Sequence, residues 1–198
     1  MLQIKVYSDY VCPYCFLGEI VLDRALKGLE DQVEIEWMPF ELRPAPTPTL
    51  KPEEDYLQTT WKNSVYPMAE QLGIDIVLPK VSPQPYTHLA FEGYQYAHEQ
   101  GKGEAYTHRM FRAFFQEEQD LGDIDVLTKL AGETGLNTEE FRTALETRKY
   151  KDVHQQALKD AYNNVGVSAV PTFIIADKIV RGLLREEDLR KLIKLELS

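Results

Sequence analysis

Ser8-Asp9-Tyr10-Val11-Cys12-Pro13-Tyr14-Cys15 holds both cysteines of this 198-residue chain. The run before it, Leu2 to Tyr7, alternates like a strand, with Leu2, Ile4 and Val6 on one face. The run after it repeats like a helix through Gly18, Leu22, Ala25, Leu26 and Leu29. The two thiols therefore sit where a strand turns into a helix. Pro13 suits the first helical turn, where its missing N–H costs nothing. Cys12 then lies among unpaired N–H groups at the positive end of the helix dipole, which favours the nucleophilic thiolate. Cys15, three residues on, shares its face and is placed to attack a disulfide formed at Cys12.

A C-x-x-C by itself also fits half a zinc site or a pair of core thiols. Zinc needs two further ligands at suitable spacing. The chain has no third cysteine, and His88, His98, His108 and His154 form no closely spaced pair, so no metal is expected. Two cysteines three apart cannot staple a fold, so a disulfide here would be functional rather than structural.

The formal net charge is −10 and no basic cluster occurs, which argues against nucleic acid as a partner. No apolar run is long enough to span a bilayer, so no membrane partner is expected. Met1 leads directly into the first strand with no leader-like segment, and a cytoplasmic location is the expectation.

Beyond the first helix, Val33, Ile35 and Trp37 alternate with Glu34, Glu36 and Met38, giving a βαβ unit with parallel strands and a right-handed crossover. Pro44, Pro46 and Pro48 then force an extended connector. From about Pro52 to Tyr150 the pattern is helical: Glu53–Leu72, interrupted or kinked at Pro67, Tyr86–Glu99, Glu104–Glu117, Ile124–Thr134 capped by Asp123, and a helix opened by Asn137 and Glu140 in capping-box fashion. Lys151–Asn164 is a further helix. Val170-Pro171-Thr172-Phe173 enters a strand, Lys178–Arg181 forms a short edge strand, and Glu186 opens the last helix. The reading is an α/β protein: residues 1–48 and 150–198 build one domain, and 49–149 an all-helical insertion.

This pattern resembles the thioredoxin superfamily, with C-x-x-C at the first helix and a Val-Pro-Thr segment opening the last ββα unit. The resemblance implies a cis Val170–Pro171 bond packed against the two cysteines. About 155 residues separate Cys15 from Pro171, and the helical block in that gap is the arrangement of the DsbA branch. Asp9 to Gly18, Pro39-Phe40-Glu41-Leu42 and Leu121-Gly122-Asp123 are similar to the FrnE-like proteins, cytosolic members of that family. These are related in fold to hydroxychromene-carboxylate isomerases and kappa-class glutathione transferases. Ser168-Ala169 and Arg181-Gly182-Leu183-Leu184 depart from the stretches typical of those relatives.

The resemblance implies a thiol:disulfide oxidoreductase acting on thiol- or disulfide-bearing protein clients. Cys12 forms the mixed disulfide, Cys15 resolves it, and Pro171 holds the client beside the sulfurs. Val170, Thr172, Pro13 and Tyr14 are the candidate substrate contacts. Glu41 is a candidate for proton transfer at Cys15, its alternative being a solvated loop carboxylate. No cofactor is expected, with glutathione as a candidate redox partner. The glutathione-dependent relatives typically carry serine at the position of Cys12, which places a glutathione-linked transferase or isomerase second. A binding or holdase role with incidental thiols is the third reading.

Overall fold

Strand β1, Leu2–Ser8, buries Ile4 and Val6 on one face and leads into the turn that carries Cys12 and Cys15. In the computed structural model, which describes residues 1–198, helix α1 (Pro13–Leu26) follows, and β2 (Val33–Pro39) returns parallel to β1 with Val6 opposite Trp37. The chain comes back to the same sheet only at β3 (Thr172–Ile175), antiparallel to β1, and β4 (Lys178–Arg181), antiparallel to β3. The order β2-β1-β3-β4 with α9 (Glu186–Leu197) packed against α1 is a thioredoxin fold.

Between β2 and β3 the chain forms α2 (Asp55–Thr60), α3 (Tyr66–Leu72), α4 (His88–Glu99), α5 (Gly103–Phe115), α6 (Ile124–Glu133), α7 (Thr138–Glu146) and α8 (Lys151–Lys159). The interruption or kink expected at Pro67 takes the form of a π-helical turn, Trp61–Val65, which joins α2 to α3 and widens the helix just before the proline. That widening accommodates a ring that has no N–H and crowds the preceding turn. Asn137 caps α7 through the N–H groups of Glu139 and Glu140. Glu140 does not complete the reciprocal box, because its carboxylate accepts the Tyr96 hydroxyl instead. No helix is long and apolar enough to cross a membrane.

Aromatic side chains fasten the helical block to the sheet domain. Phe16 of α1 stacks on Phe115 with ring centroids 5.5 Å apart, and Tyr10 meets Phe91 at 4.7 Å and Phe111 at 5.3 Å. One continuous apolar core results, running from Ile4 and Phe173 through Phe16 to Phe114 and Phe141. Its aromatic clusters are core.

Candidate active site

The strand-to-helix turn is built by the backbone. The Cys12 N–H donates to the Asp9 carbonyl at 3.0 Å, and the Cys12 carbonyl accepts from the N–H groups of Cys15 and Phe16 at 3.1 and 3.3 Å. Cys12 is the N-cap of α1, with extended φ/ψ, and Pro13 starts the helix. Both cysteines are free thiols, 5% and 1% exposed. Burial pushes the Cys15 thiol well up, the neighbouring Cys12 sulfur adds to this, and a backbone hydrogen bond from Asp9 opposes it.

Pro171 arrives at this turn from the other end of the chain. The Val170–Pro171 bond is cis, and the Cys12 Sγ lies 3.7 Å from the Val170 carbonyl. Gly18 explains how closely the segment seats. A Cβ on Gly18 would stand 3.2 Å from Pro171 Cγ, closer than most packed side chains approach, and 3.4 Å from Phe173 Cζ, so the proline would have to shift by a few tenths of an ångström. A glycine one turn beyond the C-x-x-C thus lets the proline loop rest on α1.

Residues 3–194 match the DsbA-like thioredoxin domain family. The chain belongs to that family. This DsbA-like protein is 55% identical over 192 residues, 96% of its length and 95% of the relative's, to a protein of Bacillus subtilis described as the uncharacterized protein YwbO. Its fold is similar to that of a probable DsbA oxidoreductase from Streptomyces coelicolor, with a TM-score of 0.84 and 22% identity, covering 99% of this chain and 90% of the other. It is also similar to DsbM of Pseudomonas aeruginosa, described as a cytosolic disulfide reductase with glutathione, with a TM-score of 0.74 and 17% identity over 99% of both chains.

The DsbA-like frame brings Cys12, Cys15, Pro171 and Val170 together. Pro13 and Tyr14 sit half-buried at the rim, and the Tyr14 hydroxyl is tied to Ser64 Oγ at 2.7 Å, so the π turn of the helical block grips the C-x-x-C dipeptide. Thr172 is placed differently from the expectation. It is buried inside β3, paired with Tyr7 on one side and Arg181 on the other, and its hydroxyl turns back to the Ala169 carbonyl at 2.7 Å. Its backbone is occupied by the sheet, which leaves Val170 as the strand-like contact next to the sulfurs.

Glu41 is neither solvated nor turned toward Cys15. It is 3% exposed, its Oε1 lies 2.5 Å from His154 Nε2, and its carbonyl accepts the Tyr162 hydroxyl. The imidazole of His154, 113 residues away, takes the place of solvent. The carboxylate whose charge reaches Cys15 is Asp9, and it raises the thiol further. Asp9 is 1% exposed, its Oδ2 accepts the Leu42 N–H at 2.8 Å, and its Oδ1 has no partner. Burial pushes it up to about 7, the Leu42 hydrogen bond opposes this, and the charge of Glu41 adds to it. A narrow cavity lined by Asp9, Val11, Leu42, Arg43 and Thr87 adjoins it. Asp9 lies three residues before Cys12 in the sequence, and only burial makes it a titrating group near neutral pH.

Proposed function

We propose that this chain exchanges disulfides with protein clients through the Cys12–Cys15 dithiol, with Asp9 carrying the proton of Cys15. The observation that supports the reading is the convergence of two free thiols, a cis-proline segment and one buried carboxylate at the N-terminus of α1. The Cys12 thiolate attacks a client disulfide R–S–S–R′, forming Cys12–S–S–R and releasing R′S⁻. Cys15 then loses its proton to the Asp9 carboxylate and attacks the Cys12 sulfur, releasing RS⁻ and closing the Cys12–Cys15 disulfide. Each step conserves electrons, and the reverse sequence oxidises a client dithiol. Two glutathione thiols, giving one glutathione disulfide, would reset the reduced form.

The buried, proton-holding Cys15 suits a resolver rather than an attacking group, because thiolate character and access govern attack. Val170 offers its carbonyl beside the sulfur as the client strand's docking point, in the manner of an added β-strand. Pro13 and Tyr14 form the rim that the client crosses. Cys12 also argues against the glutathione-linked transferase reading, since a serine at that place could hold a glutathione thiolate but form no disulfide. A cytosolic setting, with glutathione as the abundant thiol, belongs to the same proposal.

The test is covalent capture. Cys15→Ala is expected to accumulate client adducts that dithiothreitol releases, and Cys12→Ser is expected to trap far less. Equal trapping by the two variants would remove the assigned roles.

A further inference from the structure

Helix α1 continues past the dithiol with Glu19 and Asp23 at i, i+4 spacing, and α5 carries Glu104 and His108 at the same spacing. Such pairs lie on one helix face. The two helices pack against each other, so the pairs meet. His108 Nδ1 meets the Glu19 carboxylate, while its Nε2 lies 3.5 Å from Glu104 and 3.9 Å from Asp23. One donor atom from each of Glu19, Asp23 and His108 falls within 4.8 Å of the other two.

Two further observations make this more than an acidic patch. Glu19 is 1% exposed, and its Oε2 has no hydrogen-bond partner. No lysine or arginine forms an ion pair with Glu19, Asp23 or Glu104, though the charge of Arg112 reaches Asp23 and His108; His108 is the one basic side chain in contact with all three carboxylates. A buried carboxylate with an idle oxygen and no fixed cation is costly unless something fills the gap.

We propose that Glu19, Asp23 and His108 form a binding site for a divalent first-row transition ion of the Mn²⁺, Co²⁺ or Zn²⁺ kind, distinct from the dithiol. One imidazole among carboxylates suits these ions, and the lack of thiolate sets the site apart from soft-metal centres. Donors about 2.0–2.2 Å from an ion lie at most about 4.4 Å apart, so shifts of a few tenths of an ångström complete the sphere. Glu104 then holds the second imidazole nitrogen, the outer carboxylate that orients a ligating histidine. Asp23, 42% exposed, stands at the mouth as the entry path. A bound ion would join α1 to α5, hence the dithiol helix to the helical block.

The experiment uses full-length protein with Cys12→Ser and Cys15→Ser, stripped by chelator, so that the thiols bind nothing. Zn²⁺ and Co²⁺ are titrated by calorimetry and Mn²⁺ by the paramagnetic resonance of the free ion. The expected result is one ion per chain for at least one of the three, with a rise in Tm. Bound Co²⁺ should quench Trp37, whose ring centroid is 6.4 Å from that of His108. His108→Gln and Asp23→Asn should each weaken binding at least about 10-fold. Asp23→Asn, at the mouth, serves where His108→Gln fails to fold. Absence of stoichiometric binding, or binding unchanged by Asp23→Asn, would overturn the site and leave a histidine–carboxylate hydrogen bond in its place.

Discussion

Asp9→Asn removes the buried carboxylate whose charge reaches Cys15 while keeping its shape and its hydrogen bond from Leu42. In the fold Asp9 titrates at about 7 because it is buried, against an ordinary value of 3.8. That is a rise of about 3 units, and at 1.36 kcal/mol each the group is worth about 4 kcal/mol between its two protonation states. The folded chain keeps this proton where the unfolded chain has lost it. The stability it contributes is therefore complete below about pH 4 and is lost as pH rises through 7. Asparagine has no proton to lose. Urea unfolding of the reduced protein and of Asp9→Asn, from pH 4 to 8, reads the difference directly. Other shifted acids, such as the partly exposed Asp23 at about 6, titrate in both proteins and cancel. The two stabilities should move apart by about 4 kcal/mol across this range, with the variant gaining at the alkaline end. Parallel curves would show that Asp9 is ionised in the fold at low pH, and would remove it as the proton acceptor for Cys15. The same variant should resolve mixed disulfides about 10²-fold more slowly at pH 7.5, the lower end of what a positioned base contributes.

Gly18→Val places methyl groups where Pro171 now sits, 3.2 Å from the missing Cβ, and should displace the proline loop. Client exchange should fall steeply while far-ultraviolet circular dichroism stays native, and an unchanged rate would separate Pro171 from the chemistry. Phe16→Ala empties the stacking position against Phe115 and should cost about 3–5 kcal/mol in urea unfolding. Arg148→Met leaves the fully buried Glu92 without its bidentate partner and should cost about 3 kcal/mol, part of which Glu92→Gln should restore in the double variant. Equilibration with glutathione should place the dithiol at roughly −200 to −230 mV, the range of the glutaredoxins that share its Pro-Tyr dipeptide. A value near that of DsbA, about −120 mV, would assign oxidation rather than reduction as the working direction.

Local pattern settled a large part of this molecule in advance. Alternation over Leu2–Tyr7 and Val33–Trp37, a proline at the start of α1 and the Val-Pro-Thr entry to β3 each express a constraint within a few residues. Such constraints hold whatever the rest of the chain does, and together they specify strand, helix, strand and the returning ββα unit. Helix ends were legible where a side chain caps its own backbone, as Asp123 and Asn137 do. What the sequence left open depends on partners far away along the chain. Glu41 reads as a solvated loop residue until His154 closes over it. Thr172 reads as a client contact until β1 and β4 claim its backbone on both sides. Glu19 and Asp23 look like an ordinary helix face until α5 brings His108 against them. Asp9 shows the reason most plainly: its carboxyl group is the same in any chain, and its proton affinity near neutral pH comes from burial, which only the assembled tertiary structure supplies.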